Sequence, residues 1–204
     1  LKSHRGWDPG AIELAKEFAT KLKAPLFAAQ TSRLLIELNR SLPHPSLFSE
    51  FTRDLPLVEK QLLIEDYYLP YRARIEDWIG ANHRGGRAPF ILHISVHTFT
   101  PKLDGEVRDA DIGLLFDPGR AREAEFCRAW RERLQADYPA LRVRDNYPYL
   151  GTDDGFTTWL RYRYPTDAYA GIELEVNQSW PLGNKQEWKR LQTALAETLQ
   201  RVLL

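Results

Sequence analysis

The sequence predicts an α/β domain with helices layered on both faces of a mixed sheet. Three observations predict it. Apolar stripes at helical spacing alternate along the chain with short runs rich in β-formers. The 204 residues suit a single large domain spanning 1–204. Hydrophobic residues at 43% and charged residues at 27% have the balance of a folded globule.

The elements follow in order. Asp8-Pro9 opens the first helix, with Asp8 read as its N-cap and Pro9 at the first helical position. Ala11, Leu14, Ala15, Phe18 and Leu22 form its apolar stripe, and Pro25 ends it. Leu26 to Ala29 and Leu34 to Leu38 read as short strands. A helical segment runs from Asp54 to about Ile79, with a kink expected near Pro70. Pro89 to Thr98 is the strongest strand, between Gly85-Gly86 and Pro101. Residues 99–119 read as a long loop of the kind that serves function. Phe126, Cys127, Trp130 and Leu134 mark a helix that stops before Pro139. Leu141 to Arg144 reads as a strand, Asn146 to Gly155 as irregular and Phe156 to Arg163 as a short helix. Gly171 to Asn177 is a further strand. Asn184 with Glu187 caps a terminal helix that buries Trp188, Leu191, Leu195, Leu199 and Val202.

Composition excludes several functions. Lys+Arg 28 against Asp+Glu 28 leaves no net charge, which argues against a nucleic-acid surface or a polybasic membrane patch. No apolar run approaches the roughly 18 residues of a bilayer span. The single cysteine, Cys127, fits a reducing compartment, so a cytoplasmic location is expected. No phosphate-binding glycine loop, paired CxxC or serine nucleophile elbow is present. The chain starts at Leu1 and has no methionine, so an N-terminal portion is expected to precede it.

A few residues suit chemistry. His93 and His97 share one face of a strand, but roughly 13 Å separates positions four apart, too far for one ion. His97 is the better ligand candidate because it sits at the strand's C-terminal end, where open α/β sheets place their sites; His93 reads as a core histidine. Glu173 and Glu175 point to one strand face, either as a solvated edge or as a carboxylate pair in a cleft that would supply a general base. Asn39-Arg40 and Arg33 offer amide and guanidinium groups suited to a substrate carboxylate, although surface arginines are common. Tyr147 to Gly155 is either a substrate-enclosing loop or a well-built connection. Cys127 lies on an apolar stripe and reads as packing.

Several blocks together resemble the N-formylglutamate amidohydrolase family. They are His4-Arg5-Gly6-Trp7-Asp8-Pro9-Gly10-Ala11, Ser32 to Arg40, His93 to Pro101, Asp111 to Pro118, Asn146 to Thr157 and Gly171 to Gln178. They occur in the family's order over nearly the whole chain. The resemblance implies a three-layer, zinc-carboxypeptidase-like fold, with a mixed, twisted sheet between helices. It implies metal-dependent hydrolysis of N-formyl-L-glutamate or a similar N-acyl amino acid, a small-molecule substrate, and a place in histidine degradation. By the same resemblance, His97 and Asp8 are ligands of Zn2+, Glu175 is the general base with Glu173 in reserve, and Asn39 and Arg40 hold the substrate carboxylate with help from Arg33.

A catalytic zinc usually takes three protein ligands plus water. The third ligand is therefore expected upstream of Leu1, on a strand expected to precede it. Two other readings are a deacylase or carboxypeptidase-like hydrolase for another N-acyl substrate, and a non-catalytic carboxylate-binding domain on the same scaffold.

Overall fold

The computed structural model describes residues 5–84, 88 and 90–204. In chain order the elements are α1 (Ala11–Leu22), α2 (Leu57–Leu63), a π-helical turn (Ile64–Tyr68), α3 (Leu69–Arg84), β1 (Ile91–Phe99), β2 (Lys102–Leu103), β3 (Glu106–Val107), β4 (Ile112–Leu115), α4 (Ala121–Asp137), β5 (Val143–Asp145), α5 (Phe156–Arg163), β6 (Tyr169–Asn177) and α6 (Lys185–Leu203). They fall into two compact units. One holds the residues up to Trp7, Phe27–Leu92 and Asp153–Ala170; the other holds Asp8–Leu26, His93–Thr152 and Gly171–Leu204.

The second unit is built on a mixed sheet of order β1-β6-β4-β5. β6 runs antiparallel to β4, and β4 parallel to β5. All four residues of β4 are buried, as are Ile172, Leu174 and Val176 of β6. A strand buried on both faces reads as a continuous apolar run. α6 packs against α1 and α4. It buries Trp188, Leu191, Leu195 and Leu199, and the Asn184 side chain accepts hydrogen bonds from the backbone N–H of Gln186 and Glu187. Trp130 of α4 is fully buried, meets Phe18 edge-on and donates its indole N–H to Thr198 of α6. Cys127 is buried packing, as expected. Glu123 of α4 is buried too, its carboxylate accepting from the backbone N–H of Asp117 and Gly171.

In the first unit the cores are two. Ile75 and Ile79 of α3 pack with Ile91, Phe156, Leu160 and Tyr169. Ile36, Leu38 and Leu47 pack with Tyr68.

Several expectations are corrected. Leu26–Ala29 and Leu34–Leu38 are not strands. Leu34, Ile36 and Leu38 are buried, but in turns tied by Leu35 N–H to Ser32 O and Glu37 N–H to Leu47 O, so burial rather than pairing explains their apolarity. The helix expected from Asp54 begins at Leu57, after Pro56. It passes through Pro70 behind a widened π turn, in which Leu69 N–H reaches Ile64 O. The proline ring and its missing N–H disfavour an ordinary α turn at that point. The long loop at 99–119 contains the β2–β3 hairpin and β4.

Asp8 does not cap α1. Gly10 holds that position at φ +83, with no side-chain cap. A Cβ there would come within 2.5 Å of Pro181 Cβ, so both conformation and space require glycine. The Asp8 carboxylate is thereby released for another partner.

Candidate active site

That partner is His97. Asp8 Oδ2 lies 2.9 Å from His97 Nδ1, and Ser95 Oγ lies 3.0 Å from His97 Nε2. Ser95 and His97 are two apart on β1, so the strand's period of two puts both on one face. Only 17% of the His97 side chain and 13% of the Asp8 side chain are exposed. Burial by itself lowers the imidazole pKa. The Asp8 hydrogen bond and the charges of Asp8, Glu175 and Glu173 outweigh it and raise the value from 6.5 to about 9. In the metal-free chain these contacts favour the protonated ring; a metal held by His97 would require the neutral imidazole, with one ring nitrogen giving up its present contact.

The two glutamates come from the strand next to β1 in the sheet. Glu175 stands opposite Gly113 and Glu173 opposite Leu115 in the antiparallel register. Glu175 is buried and Glu173 half-buried. Gly113 makes the space beside Glu175: a Cβ at 113 would fall 1.8 Å from the Tyr147 carbonyl oxygen and 3.3 Å from Glu175 Cβ. The Tyr147 segment can lie over the sheet there because residue 113 has no side chain. Asn146, at φ +49, fixes the same segment, its Oδ1 accepting from the backbone N–H of Phe116 and Gly151. Neither Ser95 nor Asn146 was singled out by sequence. The strand period would have marked Ser95, while Asn146 shows only as a turn-forming residue before the Tyr147-Pro148 pair.

The first unit positions the remaining candidates. The Asn39 side-chain carbonyl accepts from Phe156 N–H at 2.7 Å, at the start of α5. Arg40 Nη1 donates to the backbone carbonyl of Asp154 at 2.7 Å, and the Asp154 carboxylate accepts from Ser41 N–H at 2.9 Å. Tyr68 and Arg72 both donate to the Arg40 carbonyl, at 2.7 and 3.2 Å. Arg33 pairs with Glu37 at 2.9 Å, and Glu37 also accepts from Asn39 N–H. Arg33 therefore reaches the Asn39–Arg40 turn through Glu37. Tyr68, Arg72 and Asp154 were missed in the sequence because their link to residue 40 spans 28 to 114 positions.

As metal donors, Asp8 and His97 suit the expected ion in chemistry: an oxygen and a nitrogen, adjacent and desolvated, in a field of two further carboxylates. As a set they are incomplete. Among the described residues no group of three or more His, Cys, Asp or Glu is arranged to hold a metal ion. No helix among them is long and apolar enough to cross a membrane.

Solved structures share this α/β fold. The gene product Atu2144 from Agrobacterium tumefaciens superposes with a TM-score of 0.84 at 28% identity, over 99% of this chain and 79% of that one. An N-formylglutamate amidohydrolase from Ralstonia eutropha JMP134 gives 0.73 at 19% identity, over 94% and 80%. Murine aminoacylase 3 gives 0.54 at 16% identity, over 99% of this chain and 62% of that one; the two share a fold, the zinc-carboxypeptidase-like one expected from the sequence. No curated protein matches the chain. Residues 1–180 match the N-formylglutamate amidohydrolase family, and the chain belongs to that family of amide hydrolases.

Proposed function

We propose that the chain hydrolyses the amide of N-formyl-L-glutamate, or of a closely similar N-acyl amino acid, to the free acid and the amino acid. The observation that carries this reading is the desolvated Asp8–His97 pair in the field of Glu173 and Glu175. Three carboxylates around one imidazole favour a cation over an anionic ligand.

In this reading Asp8 and His97 are two ligands of a zinc ion, completed by a donor outside the described residues. Zinc supplies Lewis-acid polarisation of the amide carbonyl when bound. Glu175 is the general base. Its carboxylate takes the proton of the attacking water and returns it to the leaving nitrogen, with Glu173 as the reserve acid of the same strand face. Asn39 and Arg40 hold a substrate carboxylate, and Arg33 supports them through Glu37. Arg40 suits this role because its guanidinium is anchored on the backbone carbonyls of Asn39 and Asp154 by Nη1 alone and makes no ion pair with a described carboxylate. A planar fork held at one corner can present its other donors to a carboxylate in a bidentate pair.

The test is a substrate panel with the zinc-supplemented full-length protein. N-formyl, N-acetyl and peptidyl derivatives of glutamate and leucine are scored for release of formate, acetate and amino acid. The reading predicts formate from N-formylglutamate well above the other releases. Preferred acetate or peptide cleavage moves the chain to another acyl substrate. Carboxylate binding without any hydrolysis moves it to a binding module.

A further inference from the structure

Arg72 is buried, at 5% exposure, and among the described residues it faces no carboxylate within ion-pair distance. Its guanidinium carbon lies 4.1 Å from the ring centroid of Phe156, 4.9 Å from that of Tyr68 and 5.7 Å from that of Trp159. The aromatic faces replace the water that burial removes. The cation then donates from Nη1 to two backbone carbonyls, Leu38 O and Arg40 O, each at 3.2 Å. Tyr68 donates its hydroxyl to the same Arg40 carbonyl at 2.7 Å. Phe156, under the guanidinium, is also the residue whose N–H holds Asn39.

A buried arginine is expensive to desolvate, and hydrophobic residues of similar volume often serve stability as well or better. This one is spent on the two carbonyls that bracket Asn39 and Arg40. We infer that Arg72 is a positioning residue, with Tyr68 as its partner, which fixes the Asn39–Arg40 turn so that both side chains meet a substrate carboxylate in one orientation. This rests on the proposed role of Asn39 and Arg40. It extends the substrate-holding apparatus from the turn to α3 and the π turn before it.

The experiment uses the full chain and reads both catalysis and the dissociation constant of glutarate, a dicarboxylate without a scissile bond. Arg40→Gln raises KM and weakens glutarate. Arg72→Met and Tyr68→Phe raise KM, about tenfold and about threefold, with kcat changed less than about twofold, because they remove substrate binding and leave the proton-transfer groups alone. Arg72→Lys, which keeps a cation over Phe156, recovers part of the loss. Adding Arg40→Gln to Arg72→Met gives less than the sum of the single effects, since both act through one turn.

If Arg40→Gln leaves KM and glutarate binding unchanged, or if the unmodified chain does not bind glutarate, the carboxylate role of the turn is refuted and the positioning role with it. If Arg40→Gln has its effect while Tyr68→Phe and Arg72→Met have none, the positioning inference alone is overturned. Should Arg72→Met fail to fold, Tyr68→Phe decides, since it removes a single hydroxyl. A loss carried by kcat, with KM and the glutarate dissociation constant unchanged, would also overturn it.

Discussion

Replacing Asp8 with asparagine separates the charge of the acid–histidine pair from its shape. In the folded chain the His97 pKa is raised from 6.5 to about 9. A displacement of that size corresponds to about 3 kcal/mol favouring the protonated folded state, as an upper figure because three carboxylates share it. The sign follows from linkage. A group whose folded pKa lies above its unfolded value stabilises fully below the unfolded pKa, and that stability is lost as pH rises through the folded one. The metal-free chain is therefore most helped by the pair below about pH 6.5 and loses the contribution by about pH 9 to 10.

Asp8→Asn removes the charge and the anionic acceptor while burial remains, so the imidazole moves back down and the alkaline loss shrinks to a small fraction. Urea unfolding at about pH 6 and about pH 10 with chelator present, alongside NMR titration of the histidine ring protons, measures both quantities. A variant whose unfolding free energy falls between those pH values as steeply as the parent's refutes the coupling. So does a parent His97 that titrates near 6.5.

Three further outcomes are expected. His97→Ala lowers zinc retained after dialysis to background, measured by elemental analysis; full retention removes His97 from the ligand set. Gly113→Ala destabilises by on the order of 3 kcal/mol or more, or prevents folding, because its methyl would fall 1.8 Å from the Tyr147 carbonyl oxygen; a thermal melt within a degree or two of the parent contradicts the close approach. Asp111 accepts from the Arg142 side chain and backbone and from Trp180, and its pKa is lowered: burial raises it, but the hydrogen bonds and charge of Arg142 outweigh this. Its contribution is present above the unfolded value of 3.8 and is lost as pH falls below it. Asp111→Asn should thus cost about 1–3 kcal/mol near neutrality and progressively less in acid, read by urea unfolding across that range.

Legibility in the sequence followed the length and period of each element. α6 was readable from its Asn184 cap and an apolar stripe sustained over many turns, and β6 from strict alternation ending in Asn177. β4 was not, because four residues interrupted by Gly113 and flanked by aspartates carry no period; only its place between β5 and β6 makes it a strand. Residues 34–38 misled in the opposite direction, since an apolar run buried in turns has the composition of a strand. At the site, His97 stood out from its place at the end of β1, and the shared face of Glu173 and Glu175 from alternation. The Asp8 contact did not. An aspartate one residue before a proline reads locally as a cap, and the competing partner lies 89 positions away. Arg72 was equally silent, because a lone arginine in an amphipathic helix has the pattern of a solvated residue until the fold surrounds it with rings.

If Glu175 takes up the proton beside the Asp8–His97 pair, amide cleavage depends on its carboxylate. Formate release from N-formyl-L-glutamate by the zinc-loaded full chain, compared between the parent and Glu175→Gln, tests it most directly. Steady release is expected from the parent and a loss on the order of a hundredfold to ten-thousandfold from the variant, with zinc content unchanged. Release by Glu175→Gln within a few-fold of the parent would contradict it.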